Sequence, residues 1–227
     1  MKFTNETLLT HYLYDLTLID TTHNNKIKNK HPEYWNVPSF YKKSPIIIDP
    51  LDTSKNIWFW SDIHFFHKNI IRYSNRPFPN LELMNECLIG NARNIIKPGD
   101  IVIWGGDISF GHIHEVNEMI RNLPGYHIQI IGNHDMDNHG KLSKYDFDER
   151  HPCLVLDVID HDIEYQILIT HYPLDIVPDN CINFHGHIHQ HLLKPYNINF
   201  CVEHTNYSPI HIKELMERSE RYLRMKI

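Results

Sequence analysis

Five short clusters place residues that can bind metal or move protons just past apolar runs: Asp62-Ile63-His64, Gly106-Asp107, Gly132-Asn133-His134-Asp135, Thr170-His171 and Gly186-His187-Ile188-His189. Carboxylate oxygen, imidazole nitrogen and a neutral amide oxygen are donors suited to Zn, Mn, Fe and similar divalent ions. No cysteine stands in any cluster, so no thiolate is offered. In D-x-H and H-x-H, an extended segment would turn both side chains to one side, because side chains alternate with period two along a strand. The run His185, His187, His189, His191 permits more than one frame; the G-H-x-H pattern selects His187 and His189. His112 and His114 fall on a helical pattern, where positions i and i+2 do not share a face, and read as surface residues.

Such clusters need elements to deliver them. Ile57 to Ser61 precedes Asp62, Ile101 to Trp104 precedes Gly105-Gly106-Asp107, and Tyr126 to Ile131 precedes Gly132, so each apolar run reads as a strand with polar residues at its end. Between them lie helical patterns at Leu81 to Ile96 and His112 to Leu123, stopped by Pro98-Gly99 and Pro124-Gly125. The alternation predicts parallel βαβ units with the clusters gathered at one sheet edge, where open α/β sheets bind ligands. Farther on, Cys153 to Ile159 and Ile163 to Thr170 flank His161-Asp162 and predict a hairpin. Asn197 to Val202 reads as another strand, and Ile212 to Tyr222 as a closing helix with Leu215, Met216, Tyr222 and Leu223 inward. The texture changes near residue 55. Residues 1–55 read as an N-terminal extension, with an amphipathic helix through Leu8, Leu9, Tyr12, Leu13, Leu16 and Ile19 packed on or near the core, and residues 56–227 as one domain.

At 41% hydrophobic and 11% aromatic residues the chain is too apolar to be disordered. A formal charge of −6 argues against a broad cationic surface for long duplex nucleic acid or anionic lipid. Cys87, Cys153, Cys181 and Cys201 form no C-x-x-C pair, which argues against a zinc ribbon or a dense disulfide framework and favours a reducing compartment. With no signal-peptide pattern and no long apolar stretch, a cytoplasmic protein without a membrane span is expected.

The ordered series D-x-H, G-D, G-N-H-D, H, G-H-x-H resembles the calcineurin-like metallophosphoesterase superfamily, from Asp62 to His189. A narrower likeness, through Ser61-Asp62-Ile63-His64-Phe65, His67-Lys68-Asn69-Ile70-Ile71-Arg72 and Asn75-Arg76-Pro77-Phe78, is to small bacterial and phage metallophosphoesterases, from which the chain departs at Phe66, where glycine is expected. The resemblance implies an α/β fold in which a β-sandwich is flanked by helices in four layers, α/β/β/α. It implies two divalent ions, manganese foremost among Fe, Zn, Ni and Co. One ion would be held by Asp62, His64 and His189 and the other by Asn133, His171 and His187, with Asp107 between them. It further implies attack by hydroxide without a phosphoenzyme and His134 beside the scissile bond with Asp135 orienting it; His67, Arg72 and Arg76, which follow the first motif, are the candidate contacts to the substrate's phosphate. The expected substrate is a small or nucleotide-like phosphoester, a diester before a monoester; for a phage-type protein the compartment would be the host cytoplasm. A nuclease for single-stranded or damaged nucleic acid and a non-catalytic scaffold of the same fold are the alternatives. A metallo-β-lactamase-like hydrolase would need H-x-H-x-D-H, and His187-Ile188-His189-Gln190-His191 lacks that Asp.

Overall fold

Alternation along two strands sets the architecture. In β2 (Ile57–Trp60) and β3 (Ile101–Trp104), Ile57, Phe59 and Ile103 enter one apolar core while Trp60, Val102 and Trp104 enter another. A strand that is apolar on both faces must be covered on both. A computed structural model describes residues 46–48, 56–137, 139–160, 163–192 and 196–226. Residues 46–136 and 142–227 form one compact unit.

Two five-stranded sheets make up this mixed α/β unit. The first runs β1 (Ile46–Ile48), β6 (Cys153–Asp160), β7 (Ile163–Thr170), β8 (Cys181–His185), β9 (Asn197–Asn199); the second runs β10 (Ile210–His211), β2, β3, β4 (Tyr126–Ile130), β5 (Glu149–His151). β2 through β5 are parallel, and β7, β8 and β9 are parallel to one another. β6 and β7 pair antiparallel from Cys153↔Thr170 to Asp160↔Ile163, the expected hairpin; its turn at His161-Asp162 lies outside the described residues. Phe59, Ile103, Ile128 and Ile130 of the second sheet meet Leu156, Ile167, Ile169, Ile182 and Phe184 of the first in the inter-sheet core. On the other face of the second sheet, α2 (Leu81–Ile95) buries Met84, Leu88, Ile89 and Ala92, and α3 (Ile113–Arg121) buries Val116 and Ile120, against Trp60 and Trp104. Asn80 caps α2 by accepting from the Leu83 amide at 2.9 Å. A short helix, α1 (Ile70–Tyr73), precedes it.

α4 (Ile212–Lys226) buries Ile212, Leu215 and Met216 in the inter-sheet core. The layers are thus helices, sheet, sheet; a fourth, helical layer over the first sheet is not found among the described residues. The side chains of Tyr222 and Leu223, the expected helix of residues 8–19 and the expected boundary at 55 lie outside the described residues. Ile46–Ile48, which the sequence reading assigns to the extension, pairs in parallel with β6 as an edge strand. No described helix is long and apolar enough to cross a membrane.

Candidate metal centre

The two sheets bring the C-terminal ends of their parallel strands to one edge, and a parallel bridge between Ser61 and Cys201 links them there. Two groups of donors result. Asp62, His64 and His189 offer atoms all within 4.8 Å of one another, and so do Asp107, His171 and His187. Asn133 joins the second group, its Oδ1 3.0 Å from His171 Nε2. Asp107 stands between them, with Oδ2 3.7 Å from His64 Nε2 and Oδ1 3.5 Å from His171 Nε2. All seven expected ligands are therefore assembled. His185 is buried with Nδ1 2.8 Å from the Gly186 carbonyl, and His191 is exposed; neither joins a group. His112 and His114 are exposed, as expected.

The means of convergence differs from strand alternation. Asp62 (φ 56°), His64 (52°), Asp107 (54°), His187 (70°) and His189 (48°) all lie in the left-handed region, past their strands' ends. Asp62 and His64 share one group, whereas His187 and His189 part to different groups. The motif glycines make room for this crowding: a Cβ at Gly132 would collide with the Asp107 carboxylate, and one at Gly186 with Ser61 Oγ and the Asp62 carboxylate. Phe66, where glycine is expected, has φ 62°, a backbone conformation that favours glycine, and its ring fills the space beside Gly111.

Donor chemistry fits divalent metal. Asp62 Oδ2 accepts from Ser61 Oγ at 2.6 Å, the His187 amide at 2.9 Å and the Cys201 thiol at 3.1 Å, while its buried Oδ1 has no hydrogen-bond partner among the described residues. Both ring nitrogens of buried His64 likewise have no hydrogen-bond partner among the described residues. Each such atom costs about 1–3 kcal/mol unless something satisfies it. His171 Nδ1 lies 2.8 Å from the Gly105 carbonyl, and His189 Nδ1 lies 3.1 Å from Glu203 Oε1, which leaves Nε2 of each ring for the centre. Cys201 is no ligand; burial, with Asp62 beside it, holds its thiol well above the ordinary range.

Burial pushes His64 well below the usual imidazole range and His187 down to about 4, so both rings present lone pairs at neutral pH. Burial would also lower His171, but Asp107 and then Asp62 outweigh it and raise the ring to about 10. Burial would raise Asp107, yet His171 and His64 hold its carboxyl below the usual carboxylate range. His171 raised and Asp107 lowered favour an imidazolium beside a carboxylate, so an ion bound at His171 Nε2 must displace that ring's proton.

Two expected roles are corrected. Asp135 does not orient His134: its carboxylate accepts from the amides of Asp107 at 3.0 Å, Gly132 at 2.8 Å and Ile108 at 3.0 Å, clamping two ligand loops together. Burial and then Asp107 push it up to about 6, against those donors. Arg76 cannot reach a substrate, because its buried guanidinium donates to the carbonyls of Asp62 at 2.6 Å and Ile63 at 2.8 Å and to Glu203 at 2.9 Å. Arg72 is exposed, its guanidinium carbon 5.5 Å from the Tyr73 ring centre. His134 and His67 do stand at the rim. The exposed His134 ring lies 5.7 Å from that of His64 and 5.0 Å from Phe110; the His67 ring lies 5.5 Å from that of His64 and stacks on Phe110 at 4.1 Å. The sequence reading missed Phe110 and Glu203. Glu203 lies in no motif, and only its place in the fold reveals it.

No family model matches the chain. The crystal structure of AQ665, a protein of unknown function from Aquifex aeolicus, is similar, with a TM-score of 0.55 and 30% identity over 72% of this chain and 98% of that one. MJ1445 of Methanocaldococcus jannaschii, an uncharacterized protein, is 32% identical over 179 residues, which cover 74% of this chain and 93% of that protein. With so much of MJ1445 matched, the chain belongs to the same protein family as MJ1445.

Proposed function

We infer that the chain is a dinuclear metal-dependent phosphoesterase of the calcineurin-like type, acting on a small or nucleotide-like phosphodiester, with the two sheets as the inner layers of that superfamily's sandwich. The observation that carries this reading is the placement of Asp107, one carboxylate oxygen toward each donor group. Paired divalent ions, manganese foremost, would supply a water of lowered pKa and neutralise charge on a phosphoryl group. The chain's residues do the rest. Asp107 sets the spacing of the two positions, and its Oδ1 also accepts from the His134 amide at 2.8 Å, which ties the loop bearing His134 to the centre. The His134 ring, exposed beside the first group, is placed to protonate a leaving oxygen. His67, on the same rim, is placed to hydrogen-bond a phosphoryl oxygen. Asp135 keeps the Gly106-Asp107 and Gly132-Asn133 loops in register.

The test is a panel of bis-p-nitrophenyl phosphate, p-nitrophenyl phosphate, linear and cyclic nucleotides and single-stranded DNA, with added Mn²⁺ and with EDTA. Metal-dependent diester hydrolysis that EDTA abolishes is the expected result. Metal binding without turnover of any substrate would leave a metal-loaded scaffold as the better reading.

A further inference from the structure

Around the Asp62, His64 and His189 group runs a buried chain of contacts built on an arginine and a glutamate. Glu203, in the 3₁₀ turn Val202–His204, accepts with one oxygen, Oε1, from Arg76 Nε at 2.9 Å and Nη2 at 2.8 Å, and lies 3.1 Å from His189 Nδ1. Its Oε2 is buried without a partner among the described residues. Arg76 in turn donates to the carbonyls of Asp62 and Ile63. One guanidinium fork thus holds the left-handed backbone of one ligand, Asp62, and through Glu203 fixes the ring of another, His189. On the second group, His171 Nδ1 faces a backbone carbonyl instead.

Charge works in the same direction. A buried guanidinium beside a cation site repels the cation unless a carboxylate offsets it, and Glu203 is that carboxylate. A carboxylate on the far nitrogen of a ligating histidine also fixes the tautomer and makes the ligating nitrogen more basic. We propose that Arg76 and Glu203 are a positioning pair that sets the ion affinity of the Asp62, His64, His189 position and leaves the Asp107, Asn133, His171, His187 position unchanged. The proposal rests on the metal-centre reading above.

The experiment is Mn²⁺ titration of the full chain by calorimetry and by electron paramagnetic resonance. Wild type, Glu203→Gln and Arg76→Lys are compared after circular dichroism shows each to be folded. Glu203→Gln keeps the shape and leaves Arg76 uncompensated; Arg76→Lys keeps the charge and loses the fork. The expected result is one position weakened about 10–100-fold with the other at wild-type affinity. The spin-coupled pair spectrum would then give way to that of a single ion at intermediate Mn²⁺. A purely structural role would weaken both positions together or neither. Folded variants with either of those patterns overturn the proposal, and if Glu203→Gln does not fold, Arg76→Lys decides it. Wild type that takes up no ion would instead sink the metal-centre reading itself.

Discussion

Gly132→Ala tests the centre without replacing a donor. Gly132 has φ −92° and ψ 170°, extended backbone that alanine adopts freely, so the penalty is one of contact alone. The new Cβ would stand 3.1 Å from Asp107 Cγ and closer still to its Oδ1 and amide nitrogen. Restoring ordinary contact requires the carboxylate to retreat by about 1 Å, a displacement that in a preorganised site costs on the order of 100-fold in rate. Asp107 cannot yield quietly, because Oδ1 holds the His134 amide and the Asp107 amide is held by Asp135. We expect kcat/KM for bis-p-nitrophenyl phosphate to fall about 100-fold, or about 2.7 kcal/mol of transition-state stabilisation. Mn²⁺ affinity should fall at both positions, since Asp107 faces both. Gly90→Ala is the control. It lies inside α2 with nothing within 4 Å of the added Cβ, and should gain about 0.5–1 kcal/mol of stability with the rate unchanged. A Gly132→Ala variant with near-wild-type turnover and metal content would refute the placement of Asp107 as the shared ligand.

Further expectations concern the donors themselves. Asp107→Asn removes the charge facing both groups and should abolish turnover, as should His187→Ala; full activity in the Asp107 variant would mean the ligand assignment is wrong. His134→Ala should slow turnover about 10²–10⁴-fold while the ions stay bound, read as kcat against metal content. Metal affinity should rise with pH. His171 is raised to about 10, so below that pH an entering ion must expel its proton, whereas His64 and His187, both lowered, are already neutral near pH 7. Calorimetry in buffers of different ionisation enthalpy should count at least one proton released, from His171 with a share from His189, which Glu203 and Asp62 also raise; binding heats independent of buffer would contradict a protonated His171.

The donors were legible in the sequence because each follows an apolar run that had to be a strand, and parallel strands must end at a common edge. The way they converge was not legible. The His187 and His189 backbones have left their strand, and period-two reasoning put on one side two rings that the left-handed turns send apart. Arg76 shows a second limit. Its neighbours in sequence mark it only as close to the first motif, and a guanidinium near a phosphate site reads as a substrate contact until burial and the partner Glu203, 127 residues away, are known. Asp135 failed in the same way, since a carboxylate next to His134 in sequence spends both oxygens on backbone amides. The edge strand β1 is three residues of isoleucine before a proline-bearing stretch, too short to carry a period.

The left-handed backbone at five of the seven donors has a bearing on why those side chains are there at all. A non-glycine residue held in this region costs about 1–2 kcal/mol, more for a histidine than for an aspartate. If these positions served only to turn the chain, glycine would turn it with less strain, and the molecule would be the more stable for it. His187→Gly or His189→Gly should therefore melt higher than an alanine substitution at the same place. Side chains at such positions work against the stability of the chain that carries them, a cost that the proposed metal centre would account for and loop capping would not.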